Sequence, residues 1–139
     1  MKFIVATILF LLALLTASFI LTQFLAFVAR RKLPANGKFT EVRGGIIHWT
    51  EQGKGETIIL IHGLGGNHHN FNYMLPELSK KYHVISIDRI GSAWSKRQDF
   101  NYANLNAQAD AIVDLIDQES FQRPLLIGHS LGGAFSLSI

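Results

Sequence analysis

Two hydrophobic patterns divide this chain. Across residues 3–29 apolar side chains run almost unbroken: none is charged, and only Thr7, Thr16, Ser18, Thr22 and Gln23 are polar. A helix of that length reaches about 40 Å, enough to cross a bilayer with some tilt. Beyond it the apolar residues come in short bursts. Residues 39–42 and 46–50 predict strands, with Arg43-Gly44-Gly45 as hairpin punctuation and Gln52-Gly53-Lys54-Gly55 as the next turn. Residues 57–61 form a continuous apolar run, the pattern of a strand buried on both faces. His62-Gly63-Leu64-Gly65-Gly66 interrupts it. Residues 70–81 predict a helix with Phe71, Met74, Leu75 and Leu78 inward, although Pro76 falls inside it. A second buried strand is expected at 83–87 and a loop at 88–99. Leu105, Ala109, Ile112, Val113 and Ile116 recur at helical spacing, predicting a helix over 102–117. Pro124 precedes a last strand, 125–127. Strands alternating with helices predict an α/β domain on a parallel sheet.

Charge sharpens the division. Lys2 precedes the apolar run, and Arg30, Arg31, Lys32 and Lys38 follow it. Without residues 1–38 the chain keeps 8 basic and 10 acidic residues, a formal −2, so the pI of 9.4 belongs to the N-terminal segment. Nothing in the remainder points to a nucleic-acid partner. The sequence divides into a transmembrane anchor (1–29), a basic juxtamembrane linker (30–38) and an α/β domain (39–139). The positive-inside bias puts that domain on the cytoplasmic side of a single-pass protein. A cleaved secretory signal, with Thr16-Ala17-Ser18 as its cleavage site, is the alternative, but its apolar core would be about 7–15 residues. The absence of cysteine excludes disulfides and lipid-modified cysteine.

The chemistry lies in Gly128-His129-Ser130-Leu131-Gly132, a Gly-x-Ser-x-Gly pattern directly after the last apolar run. Between a strand and a helix it describes a serine lifted clear of the sheet on a strained turn, the nucleophile elbow. The positions two before and two after the serine must be small, and both are glycine. A helix starting there favours developing negative charge. A phosphate-binding turn uses the same geometry, but the Lys-Ser/Thr pair of a phosphate loop and the Gly-x-Gly-x-x-Gly fingerprint are absent. Acyl transfer also needs backbone N–H donors already aimed at the oxyanion. The expected donors are Leu131, after the nucleophile, and Leu64, in the glycine-rich loop.

Together these motifs make residues 39–139 resemble the α/β-hydrolase fold family, especially its small esterase and C–C hydrolase-like branches. The likeness runs in family order through the hairpin, Ile59-Leu60-Ile61-His62-Gly63, Val84-Ile85-Ser86-Ile87-Asp88 and Leu126-Ile127-Gly128-His129-Ser130-Leu131-Gly132-Gly133. The family usually carries Asp-x-Pro-Gly-x-Gly-x-Ser after its fourth strand. Here Ile90 replaces the proline and Ala93 the second glycine. Asp88 is expected to be a structural turn residue, His48 and His83 half-buried packing residues, and Trp49, Trp94 and Phe71 core or pocket lining. Adjacent His68 and His69 lack the ligand spacing of a metal site.

The resemblance implies a serine hydrolase acting on a carboxylic ester or related carbonyl by nucleophilic acyl transfer, without cofactor or metal. It also implies an order of serine, acid, histidine. The nine residues after Ser130 include no Asp, Glu or His, so both partners are expected beyond Ile139, and this chain alone is expected to be inactive. The alternatives are a non-catalytic ligand-binding member of the fold and an inactive truncated product.

Overall fold

The computed structural model describes residues 2–32 and 34–139. Met1 and Leu33, which fall in the predicted anchor and linker, and the side chain of Arg30 lie outside the described residues. The chain forms two compact units, residues 1–35 and 36–139.

The first unit is one helix, α1 (Lys2–Lys32). Its stretch Lys2–Ala29 has a mean hydropathy of 2.7 and is long and apolar enough to cross a membrane. A signal sequence or a buried core helix can meet the same description. Thr7, Thr16 and Thr22 each donate the hydroxyl to the carbonyl four residues earlier, so their polarity is satisfied within the helix.

The second unit is a six-stranded sheet. Its strands are β1 (Lys38–Val42), β2 (Gly45–Gln52), β3 (Thr57–Ile61), β4 (His83–Asp88), β5 (Lys96–Arg97) and β6 (Leu125–Gly128). The order is β1-β2-β4-β3-β6, with β5 paired to β2. The expected parallel sheet is in fact mixed. β3 runs parallel to β4 and β6, whereas β2 is antiparallel to β1, β4 and β5. The reason is the hairpin: two strands joined by Arg43-Gly44 must run opposite ways, so β2 enters the sheet reversed.

Alternation along β3 and β4 builds a core on each face. Ile59, Ile61, Ile85 and Ile87 join Ile112 and Leu115 of α3 (Leu105–Gln118) and Phe135 of α4 (Leu131–Leu137). Ile58, Leu60 and Val84 face the other way, onto Phe71, Leu75 and Leu78. Polar ties dock α3 on the hairpin. Arg43 reaches Asp114 at 2.8 Å, and Thr40 links Trp49 Nε1 to Glu119.

The helix expected over 70–81 is broken into a 3-10 turn (His68–Phe71) and a one-turn helix, α2 (Leu75–Leu78). Asn67 caps the turn through the His69 N–H, and Pro76, without an N–H, stands where a new helix begins rather than inside an old one. Met74 is consequently exposed rather than inward. The helix expected over 102–117 begins at Leu105, because Asn104 caps it through the Ala107 N–H. The expected loop at 88–99 contains β5.

Ile85 is fully buried on the central strand β4, whereas Tyr73 is almost fully exposed. Ile85→Ala is expected to lower unfolding free energy by about 2–5 kcal/mol. Tyr73→Ala should stay within about 0.5 kcal/mol. Urea titration of the detergent-solubilised chain, followed by tryptophan fluorescence, checks the contrast.

Candidate active site

Ser130 sits between β6 and α4 with φ 54 and ψ −122, a conformation strained for a residue with a side chain. The glycines around it make room. A Cβ on Gly128 would strike the carbonyl of Gly132, and one on Gly132 would strike the carbonyl of Ile61. Gly133 has ordinary room, its nearest neighbour lying 3.6 Å away. The Ile61 carbonyl also accepts the His129 N–H at 3.0 Å, so β3 holds the strand side of the elbow as well as its helix side. Ser130 is solvent-exposed. The helix α4 begins at Leu131, directly after the serine.

The glycine-rich loop lies against this serine. A Cβ on Gly63 would stand 3.0 Å from Ser130 Cβ and from the His129 carbonyl. The fold therefore brings the loop carrying Leu64 beside the turn carrying Ser130 and Leu131. The N–H groups of Leu64 and Leu131 find no acceptor among the described residues. A cavity of about 420 Å³ runs past Leu64 and Leu131 between Arg89, Arg97 and Phe135.

Under the loop the ring of His62 is fully buried. Its Nε2 faces the backbone N–H of Arg89 at 3.1 Å and its Nδ1 faces the Gly63 carbonyl at 2.8 Å. A donor on one side and an acceptor on the other fix the proton on Nδ1 of a neutral ring. Burial, helped by the nearby Arg89 charge, pushes the His62 pKa down despite the Gly63 bond.

A second buried cluster escaped the sequence. His48 is fully buried rather than half-buried, and its Nδ1 lies 2.8 Å from Asp88. His68 meets the other oxygen of Asp88 through its backbone N–H at 2.7 Å and through Nδ1 at 3.0 Å. The Trp94 N–H adds a longer contact of 3.4 Å. Asp88, expected as a structural turn residue, is the last residue of β4 and a fully buried tie between β2, β4 and two loops. Burial would raise its carboxyl pKa, but the donors from His48 and His68 outweigh burial and hold it well below the usual carboxylate range. The three side chains offer possible ligand atoms within 4.8 Å of one another. However, these donors fill the carboxylate's acceptor sites, and the imidazole nitrogens nearest it are engaged in those bonds. His48 and Asp88 are 40 residues apart, and only the antiparallel β2–β4 register brings them opposite each other. The one sequence signal for the cluster was histidine at inward strand position 48.

Ala93, where the resembled family carries glycine, has φ 44. The loop keeps the glycine-type conformation without the glycine, at a cost of about 1–2 kcal/mol.

A serine at a strand-to-helix elbow, beside a glycine-rich loop at the ends of parallel strands, defines a hydrolase-type α/β architecture. A family model described as alpha/beta hydrolase fold matches residues 56–139, and the chain belongs to that family. A magnesium-chelatase 30 kDa subunit from Rhodobacter capsulatus is 34% identical over 78% of this chain and 41% of its own length. An (E)-2-((N-methylformamido)methylene)succinate hydrolase from Acinetobacter baylyi is 33% identical over 66% of this chain and 35% of its own. Among solved structures, an esterase from Exiguobacterium antarcticum superposes with a TM-score of 0.66 at 25% identity, covering 73% of this chain and 38% of that one. The chain thus spans about two fifths or less of these relatives' lengths.

Two outcomes follow from the geometry. Gly128→Ala and Gly132→Ala are each expected to reduce the yield of folded protein sharply, with Gly133→Ala near wild type. Thermal unfolding of the three variants checks this. Stability should also fall on acidification. The lowered His62 pKa means the unfolded chain binds its proton first, so stability declines below about pH 6.5. The lowered Asp88 pKa extends the decline below about pH 4. Unfolding free energies measured from pH 8 to pH 3 check the sign, and a curve flat down to pH 5 contradicts a neutral buried His62.

Proposed function

We propose that this chain is the N-terminal part of a membrane-anchored serine hydrolase acting on a carboxylic ester or related carbonyl compound. Ser130 Oγ attacks the carbonyl carbon. The N–H groups of Leu64 and Leu131 hold the oxyanion that forms. An imidazole oriented by a carboxylate, both from beyond Ile139, takes the serine proton and returns it to the leaving alcohol. Water then releases the acyl group by the same steps. This chemistry needs no metal or organic cofactor. The observation that carries the reading is the strained conformation of Ser130, φ 54, with glycines at the two positions it crowds. Strain is tolerated where surrounding structure enforces it, and such sites cluster at functional centres.

The neighbouring cavity supports a substrate with an acidic substituent, since its lining includes the cation of Arg97 and no carboxylate. The similar Acinetobacter baylyi enzyme is named for a succinate. Residues 3–29 anchor the protein in a membrane, and the basic residues after them keep the hydrolase portion cytoplasmic. The likeness to a magnesium-chelatase subunit supports a second reading, a member of the fold that binds a ligand without hydrolysing it.

The membrane-extracted product of the whole gene separates the two readings. It is expected to react with a fluorophosphonate probe and to hydrolyse p-nitrophenyl esters. Ser130→Ala should lower kcat/KM by at least about 10³-fold. An ester bearing a free carboxylate should exceed its neutral methyl analogue by about tenfold in kcat/KM. Turnover unchanged in Ser130→Ala, or no labelling of the wild-type protein, overturns the hydrolase reading.

A further inference from the structure

Arg89 is a buried cation without a carboxylate partner. The side chain is 6% exposed, and no acidic oxygen lies within ion-pair distance of it among the described residues. Its donors go to backbone carbonyls instead: Nε to His62 at 3.0 Å and one terminal nitrogen to Gly63 at 3.0 Å. The other terminal nitrogen reaches Gln108 at 3.3 Å, and the guanidinium lies 4.7 Å from the centre of the Phe135 ring. A buried charge is costly unless its surroundings are arranged for it, so this set of partners calls for an explanation.

The explanation lies in one peptide unit. The Gly63 carbonyl accepts from Arg89, from His62 Nδ1 at 2.8 Å and from the Gly66 N–H at 3.3 Å. The N–H of Leu64 belongs to that same peptide. The peptide is planar and trans, so its N–H points opposite to its C=O. Holding the carbonyl from one side therefore aims the N–H to the other. A cation on the carbonyl also draws electron density from nitrogen to oxygen, which makes the N–H a stronger donor.

We infer that Arg89 is the positioning residue of the oxyanion site: with His62, it clamps and polarises the Gly63–Leu64 peptide so that the Leu64 N–H is preset to receive negative charge. This rests on the hydrolase reading for its catalytic consequence, but not for the clamp itself. Arg89 touches neither substrate nor Ser130 and acts through the peptide. It also explains why a neutral His62 belongs here. A second positive charge beside Arg89 would be repelled, and a ring protonated on Nε2 would lose the Arg89 N–H.

Two measurements test it on the whole detergent-solubilised chain, labelled with ¹⁵N and ¹³C. In the wild-type protein the Gly63 carbonyl carbon is expected downfield of the carbonyl carbons of Gly65 and Gly66, as strong acceptance at a carbonyl requires. Coincident shifts overturn the clamp without any variant being made. In Arg89→Lys, which retains charge but not the fork, and in Arg89→Gln, the Leu64 nitrogen is expected to move upfield by at least 1 ppm, about the scale of one lost strong bond. Signals from β4 should stay in place. An unmoved Leu64 signal in a folded variant overturns the proposal. In the whole-gene product the same variants should lower kcat by about 10–100-fold with KM within twofold, because one oxyanion donor is misaimed. If the wild-type protein shows the shifts but no ester turnover, the hydrolase reading fails while the clamp stands.

Discussion

The close approach of Gly132 to the carbonyl of Ile61 governs where everything else at the site can be. That carbonyl closes β3, accepts the His129 N–H, and leaves no space for a side chain at position 132. One backbone oxygen thus ties β3 to both sides of the elbow. Ser130 has nowhere to go but outward, into a left-handed conformation that a side chain ordinarily avoids. The glycine-rich loop starts at the very next residue, so it is delivered to the same place. The strain at Ser130 is supported by the fully buried ladder of Ile58–Ile61 beneath it. Such a ladder deforms little, because its side chains are close-packed on both faces of the sheet.

Adjacent residues at the end of β4 divide the polar work around that site. Asp88 turns toward β2 and gathers donors from His48, His68 and Trp94. Arg89 turns the other way and gives its donors to the carbonyls of β3's outgoing loop. Each charge is desolvated, and each is met by hydrogen bonds rather than by the other charge. Both are specific in a way apolar packing is not, since a displaced partner would leave a buried charge exposed to the low-dielectric interior. The loops at the ends of β3 and β4 therefore have one well-determined arrangement. On the far side of the cluster the buried Nε2 atoms of His48 and His68 have no hydrogen-bond partner among the described residues.

The two units distribute their apolar residues differently. In α1 the apolar residues surround the whole helix and hydroxyls bond back to the helix itself, a solution that suits lipid as well as protein. In the second unit apolar residues are gathered on the strand faces and one side of α3, with Arg43 tying Asp110 and Asp114 of that helix to the β1–β2 hairpin. Among the described residues β6 pairs with β3, and Leu125 is 60% exposed.

Local pattern was enough to read a good deal of this protein. The apolar run of residues 3–29, the strands at 57–61 and 83–87, the helix ending near 117 and the strand-turn-helix around Ser130 all depend on neighbours within a few positions, and the sequence displays those directly. The need for glycine at 128 and 132 was legible for the same reason, although the obstacle facing Gly132 turned out to be a carbonyl 71 residues earlier. What went unread depended on partners distant in the chain. The mixed sheet follows from how a hairpin docks on β4. The burial of His48 and Asp88 follows from their meeting across that register, and the role of Arg89 follows from three acceptors on two other segments. By itself the sequence determined the strands at 57–61 and 83–87, the place of the elbow serine and the small residues that let it stand exposed, because these are matters of local sterics and periodicity. Tertiary structure alone decided which charges are buried and what they hold, because hydrogen bonds between distant segments exist only once the sheet has brought them within 3 Å.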